Sequence, residues 1–279
     1  MSKRFKKVYI EISDICGLTC SFCPSQKGRR GKMDLGLFET IAYQLRGKTE
    51  RMDFHLLGDP LKNREFLLYL QIAEKTHHQV EIVTSGYYLR NWKFSQLLAS
   101  PIVQLNISLS AYSDPCNPKT RDYLQSCLEL AKFHQSQQSK CFLNFRMHQS
   151  RIDPVLIQQF CEYFGVKDVF DRGRIRLGSY LFLRISRDFE WIHQGLIARQ
   201  TNKFCHGLIS QIGVLANGDV VPCCIDCDGG IVLGNLKDQS LDEILATPLA
   251  QNIVQGFQRG EAYHPQCQRC TYPAQTKMD

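Results

Sequence analysis

The 279-residue sequence has no run of 18 apolar residues, the length a helix needs to cross the hydrocarbon core of a bilayer. The segment Met1 to Lys7 is basic, but no apolar signal segment follows it; an alternating, strand-like stretch does. Together these set the expectation of a cytoplasmic protein without a membrane span. Basic residues cluster at Lys3, Arg4, Lys6 and Lys7 and again at Lys27, Arg29, Arg30 and Lys32, and the net charge is +7. Few aromatic residues are interleaved there and no RNA-binding motif is present, which argues against a nucleic-acid partner. The ordinary reading of these residues is a solvated surface; the functional one is a docking patch for an acidic protein.

Cysteine is in excess. Thirteen cysteines without a signal segment point to metal clusters in a reducing compartment rather than to disulfides. Three stand at the spacing C-x3-C-x2-C: Cys16, Cys20 and Cys23, with Phe22 before the last. Just upstream, Val8 to Ser13 alternates apolar and polar and reads as a β-strand. The three thiols thus lie on a loop leaving the end of a first strand. Three thiolates can hold three irons of a 4Fe–4S cluster and leave the fourth open to a small molecule. Zinc is the competing ligand, although zinc sites more often pair C-x2-C with a second C-x2-C or with histidines.

Downstream the pattern alternates. Helical stretches run from Leu35 to Leu45, Arg64 to Thr76, Asn91 to Leu98, Lys119 to Gln135 and Asp153 to Phe164, the last with Asp153-Pro154 as cap and first turn. Strands are expected at Met52 to Leu57, Val80 to Thr84, Val103 to Ser110, Cys141 to Met147 and Arg174 to Leu177. Six-fold strand–helix alternation argues for a parallel sheet with crossover helices. Within strands, Val8, Ile10 and Ile12 oppose Tyr9, Glu11 and Ser13, and Val103, Leu105, Ile107 and Leu109 oppose Gln104, Asn106, Ser108 and Ser110. A flat sheet covered on both faces would be apolar on both sides. One polar face fits an α/β barrel with a polar lumen, so Tyr9, Glu11, His55, Asn106 and His148 are candidate substrate contacts, with Glu11 and His55 the candidate catalytic pair.

These features resemble the radical S-adenosylmethionine (radical SAM) superfamily. The resemblance implies a partial (β/α)6 TIM-like barrel over residues 1–185 and SAM bound at the open iron, cleaved to a 5′-deoxyadenosyl radical. Leu57-Gly58-Asp59-Pro60 resembles the family's Gly-Gly-Glu-Pro stretch, with Leu57 and Asp59 departing from it. Thr84-Ser85-Gly86 resembles its Thr-Asn-Gly. By the same resemblance Phe22, Gly58, Asp59, Pro60, Thr84, Ser108, Ser110 and Arg146 are expected around SAM, with Arg146 on its carboxylate or, alternatively, in a structural ion pair. A flavodoxin or ferredoxin is the implied electron donor.

After a charged linker, placed at 186–204, comes a second set of cysteines. Ile212 to Leu215 and Val220 to Cys223, joined through Asn217-Gly218, read as a β-hairpin, and Ser240 with Glu243 caps a helix to Ala246. Residues 205–279 resemble the SPASM domain in its shorter twitch form. The resemblance implies one auxiliary 4Fe–4S cluster on Cys205, Cys223, Cys267 and Cys270, with Cys224 the rival of Cys223 and Cys227 a spare; zinc on the same four thiols is the alternative. Cys116, Cys127, Cys141 and Cys161 have no cluster spacing and read as packing residues. The expected activity is hydrogen abstraction from a small molecule: a sugar, a cyclitol or a modified nucleobase, including a queuine-lyase-like reaction. The first strand begins within ten residues, which leaves no room for an N-terminal peptide-recognition domain. A peptide or protein maturase is the alternative enzyme, and an iron–sulfur electron carrier or redox sensor the non-enzyme.

Overall fold

The computed structural model describes residues 5–24, 29–118, 120–188, 191 and 202–272. In chain order the first part comprises β1 (Lys7–Ile10), α1 (Leu35–Leu45), β2 (Arg51–Phe54), α2 (Phe66–Lys75), β3 (Gln79–Thr84), α3 (Phe94–Leu97), β4 (Ile102–Ser108), α4 (Leu109–Ser113), α5 (Arg121–Ser136), β5 (Phe142–His148), α6 (Pro154–Phe164), β6 (Arg174–Gly178) and β7 (Leu181–Ser186). Strands β1 to β5 pair in sequence order, all parallel, and β7 adds to β5 in the same sense. This is the expected six-stranded parallel array with crossover helices.

Local chemistry explains the helices. In α6 the Asp153 side chain accepts from Val155 N and Leu156 N, Pro154 fills the first turn, and Gly165 ends the helix at φ +62°. Such a cap is worth about 1 kcal/mol. In α1 the buried residues Phe38, Ile41, Ala42 and Leu45 fall on one stripe facing the sheet.

The strand faces divide as their alternation requires. Val8, Ile10, Met52, Phe54, Val80, Ile82, Leu105, Ile107, Leu143 and Phe145 are fully buried beneath the helices. The opposite parity, Lys7, Tyr9, Asp53, His55, Glu81, Gln104, Ser108, Arg146 and His148, lines an interior cavity. Register places Tyr9 beside Asp53, Asp53 beside Glu81, and Glu81 beside Gln104, so the polar floor is continuous across four strands.

Several expectations are corrected. The sixth parallel strand is β7, and Arg174–Gly178 is an antiparallel outer strand upon it. Leu181 and Leu183 are buried whereas Arg174 and Arg176 are exposed, and alternating arginines suit a sheet edge. The fourth strand stops at Ser108, so Ser110 sits on the short α4. The helix expected from Asn91 to Leu98 shrinks to a 3-10 turn at Leu89–Asn91 and one turn of α3.

The C-terminal part adds β8 (Gln211–Val214), β9 (Asp219–Val221), β10 (Gly234–Asn235), α7 (Leu241–Ala246), α8 (Pro248–Gln258) and α9 (Pro265–Arg269). The hairpin turns at Gly218, φ +93°, and Ser240 and Glu243 form the expected capping box. Helix α8, which sequence reading did not single out, packs beside α7, and Thr247 caps it. Strand β8 pairs in parallel with β1, from Lys7 with Gln211 to Ile10 with Val214. The second unit therefore continues the barrel sheet, giving ten strands in the order β10-β9-β8-β1-β2-β3-β4-β5-β7-β6. Most of the expected linker, with Lys3, Arg4, Lys27 and Lys119, lies outside the described residues.

Candidate active site

The thiol trio lies on an irregular loop that the rest of the barrel pins in place. Asp114 accepts from Ser21 N at 2.9 Å and Ser21 Oγ at 2.8 Å, and Arg151 pairs with the same carboxylate at 3.3 Å. These contacts, with the amide of Cys116 at 3.0 Å, hold the Asp114 carboxyl below its usual range against the opposing effect of burial. Asn117 accepts from Thr19 N at 2.9 Å, and its amide donates to Cys20 Sγ at 3.0 Å and to Ala111 O at 2.7 Å. Tyr88 donates its hydroxyl hydrogen to Cys16 O. The Phe22 ring rests between His148, with centroids 5.5 Å apart, and the Arg151 guanidinium at 4.7 Å. Its carbonyl accepts from Trp191 Nε1 at 2.9 Å. Asp114 and Asn117 were missed in the sequence because a lone Asp or Asn in a turn carries no chemical spacing.

The strand-end motifs meet this loop. A Cβ on Gly58 would stand 2.1 Å from Ser13 O, and the residue has φ +75°, so only glycine fits. Asp59 N donates to Ile15 O at 3.1 Å. The Asp59 side chain is fully buried and spent on the protein: it accepts from Thr84 Oγ1 at 2.9 Å, Ser85 N at 2.8 Å, Ser85 Oγ at 2.5 Å and Leu61 N at 3.0 Å. It caps the 3-10 turn that begins at Pro60. The structure thus uses Asp59 and Thr84 to lock two strand ends together and leaves the Asp59 carboxylate no role as a free acidic contact. Ser110 is buried likewise, accepting from His148 N at 2.8 Å.

Beside the loop opens a cavity of about 650 Å³, within the range of small-molecule sites. Of the expected substrate contacts, Tyr9, His55 and His148 line it, as do Ser108 and Arg146. Glu11 and Asn106 do not. Glu11 is fully buried and grips Arg30, accepting from Nε at 2.7 Å and Nη2 at 2.9 Å. It also accepts from Ala216 N at 3.1 Å and Leu57 N at 3.3 Å. Burial pushes its carboxyl above the usual range while Arg30 pulls it down. Glu11 is therefore a tie between barrel and hairpin, not a lumen acid. Asn106 accepts from Gln104 at 3.0 Å and Asn144 at 3.1 Å in a closed amide chain. Burial, then Arg146 and Lys7, depress His55 to about 3, so its imidazole is neutral at physiological pH. Arg146 stands among Asp53, Glu81 and Tyr9, on the lumen floor. Of the clustered basic residues that the structure describes, Lys7 pairs with Glu81, Arg30 with Glu11 and Lys32 with Glu65.

The second thiol set converges. Cys205 precedes β8, Cys223 follows β9, and Cys267 and Cys270 sit on and just after α9. The Cys223 thiol is an electrostatic neighbour of Cys224, Cys205 and Cys267, and Cys267 of Cys205 and Cys270. A buried lysine, Lys203, donates to Cys270 O at 2.6 Å and to Cys267 O at 3.5 Å. Cys224 turns the other way, into the cavity, against Tyr9. Cys227 is buried with Cys23, Leu57 and Trp191. Both thiol sets fit iron–sulfur clusters by donor chemistry: three cysteines on one pinned loop, and four in one electrostatic neighbourhood with a compensating ammonium. Among the described residues no three His, Cys, Asp or Glu side chains draw together as they would around a single metal ion.

Comparison with known proteins agrees. Residues 205–271 match the SPASM family, an iron-sulfur cluster-binding domain. A curated relative from Niallia circulans, an S-adenosyl-L-methionine-dependent 2-deoxy-scyllo-inosamine dehydrogenase, is 29% identical over 254 residues, covering 88% of this chain and 83% of its own. The fold matches the crystal structure of BtrN in complex with AdoMet and 2-DOIA, with TM-score 0.64 and 19% identity over 98% of this chain and 95% of that one. It also matches SuiB of Streptococcus suis bound to its precursor peptide SuiA, with TM-score 0.64 and 16% identity over 90% and 67%. Residues 205–271 thus carry a SPASM-type iron–sulfur cluster-binding domain, and the chain as a whole is similar in sequence and fold to S-adenosylmethionine-dependent enzymes.

Proposed function

We propose that the protein is a dehydrogenase that removes hydrogen from a hydroxyl-bearing carbon of a small polyol, a cyclitol or sugar. The observation that carries this reading is the polar cavity beside the thiol trio, together with the relative from Niallia circulans that acts on a cyclitol. Cys16, Cys20 and Cys23 would hold the SAM-binding cluster, and Cys205, Cys223, Cys267 and Cys270 the second. When bound, these groups supply a 5′-deoxyadenosyl radical that takes a hydrogen atom and a one-electron sink. Flavodoxin or ferredoxin would be the electron donor.

The chain's own residues bind and orient. Gly58, Pro60 and Ser108 offer backbone and hydroxyl groups beside the loop. Tyr9, His55, Arg146 and His148 supply hydrogen-bonding groups from β1, the end of β2 and β5 of one rigid sheet, which fixes a ring in one orientation. Phe22 and Trp191, joined by the indole hydrogen bond, cover the rim between loop and lumen and exclude water.

The test is anaerobic reconstitution, then SAM, dithionite and a cyclitol panel that includes 2-deoxy-scyllo-inosamine. Formation of 5′-deoxyadenosine with an equal amount of ketone is the expected result. SAM cleavage without oxidation of any polyol, but with modification of a peptide, would move the reading to a maturase. No cleavage at all in a fully reconstituted sample would leave an electron carrier or redox sensor.

A further inference from the structure

The floor of the lumen holds one carboxylate that the protein does not satisfy. Asp53, in the middle of β2, is 3% exposed, and its Oδ1 has no hydrogen-bond partner. Its Oδ2 is met only by Lys7 Nζ, at 3.4 Å. Lys7 is committed elsewhere, to Glu81 Oε2 at 2.8 Å, and Glu81 also takes Arg51 at 2.6 Å. Glu81 is thus gripped by two cations while Asp53 shares one at long range. An unpaired buried acceptor costs roughly 1–3 kcal/mol, more when charged. Asp53 forms part of the cavity wall, so a ligand in the cavity lies against this residue.

The neighbours narrow what that donor is. The cavity carries Lys7, Arg146 and Arg187 against Asp53, Glu81 and Asp188, so its formal charges cancel. A balanced lumen gives a phosphorylated ligand no excess of cations to bind, whereas a saturated ring with several donors matches it.

We propose that Asp53 is a specificity-determining residue: its free oxygen accepts a hydroxyl or ammonium hydrogen from an unphosphorylated polyol ring. This rests on the small-polyol reading above. Burial, reinforced by Glu81 and opposed by Lys7 and Arg146, lifts the Asp53 carboxyl to about 7. A donor in the cavity favours the ionised form, so binding strengthens as pH rises through that value. Of the other titratable groups of the cavity, His55 is depressed to about 3, burial lowers His148 below its ordinary value, Cys224 is raised to about 12, and Tyr9 is raised further.

The experiment uses the cluster-loaded full chain with SAM. Calorimetric binding and steady-state kinetics are measured with 2-deoxy-scyllo-inosamine, scyllo-inositol and an inositol monophosphate. Turnover of at least one unphosphorylated ring by the unmutated protein is established first; its absence defeats the polyol reading rather than this inference. Given turnover, Asp53→Asn is expected to raise KM tenfold or more, with a smaller fall in kcat. The unmutated protein is expected to bind the ring more weakly below pH 7 and to bind the phosphate ester no better than the free ring. A larger loss for the amine than for the inositol assigns the ammonium as donor; equal losses assign a hydroxyl. An unchanged KM in a folded Asp53→Asn protein would overturn the proposal. If that variant does not fold, binding by the unmutated protein that is flat from pH 6 to 8 would overturn it.

Discussion

Glu11 is, with His55, a candidate catalytic residue in the sequence, and the structure makes a different forecast for its substitution. Glu11→Ala removes both Arg30 hydrogen bonds and strips the acceptor from Ala216 N and Leu57 N. Deleting one partner of a buried ion pair costs about 3–5 kcal/mol. Arg30 keeps one bond, to Cys227 O at 2.9 Å, which favours the lower half of that range. In a chain of this size each kcal/mol moves Tm by roughly 2–4 °C, so a fall of about 6–16 °C is expected. Glu11→Gln keeps the shape and one acceptor oxygen and should cost less. Glu11→Leu combined with Arg30→Met should recover part of the loss, because no charge is then left unpaired. The assay is anaerobic thermal unfolding of the cluster-loaded protein, with KM and kcat measured on each folded variant. Glu11→Gln that melts like the unmutated protein but no longer turns over would refute the structural reading and return Glu11 to catalysis.

Anaerobic reconstitution should yield about eight irons per chain, and about four when Cys16, Cys20 and Cys23 are all alanine; unchanged iron would sink the first cluster. Cys223→Ala should lose the auxiliary cluster and Cys224→Ala retain it, read by iron content and reduced-state EPR in a chain lacking the first three cysteines; the reverse pattern would exchange the two roles. Lys203→Met should shift the auxiliary cluster's midpoint potential downward in a redox titration, since a buried ammonium stabilises the more negative, reduced form. An unmoved potential would leave Lys203 only its carbonyl hydrogen bonds.

The barrel was legible because strand alternation has a period of two, and it sorted Tyr9, His55, Arg146 and His148 onto one face from the sequence alone. It also placed Glu11 on that face, whereas the structure holds Glu11 off the cavity wall in contacts with Arg30, Ala216 N and Leu57 N. The partner that claims Glu11, Arg30, lies on a loop with no period, so nothing in the sequence announced the pair. Arg174 to Leu177 misled for a related reason: one alternating segment does not say whether it joins a sheet centrally or as an edge, and the exposed arginines decide it only once β7 is seen. Cys223 and Cys224 have different surroundings, Cys223 near Cys205 and Cys267 and Cys224 on the cavity wall, but strand alternation is not the cause. Strand β9 ends at Val221, and the two thiols part in the bend that follows.

What joins the two halves is the polar face of a single strand. Along β1 and the residue after it, Val8 and Ile10 enter the helix-covered core, as the apolar parity must. The other parity makes three successive ties. Lys7 reaches across to Asp53 and Glu81 on β2 and β3. Tyr9 donates to Gln211 on β8 at 3.3 Å and meets the Cys224 thiol. Glu11 takes Arg30 from the cluster-loop side and Ala216 from the hairpin side. Strand β8 in turn lies in register on β1, with Gly213 opposite Tyr9, where an added Cβ would come 2.7 Å from Val221. The lumen floor, the cluster loop and the auxiliary thiols are therefore positioned by one set of backbone hydrogen bonds. A shift of the hairpin by one residue would move Gln211 and Ala216 away from Tyr9 and Glu11 together, which is the physical reason the second unit is built as a continuation of the barrel sheet rather than as a body attached by a linker.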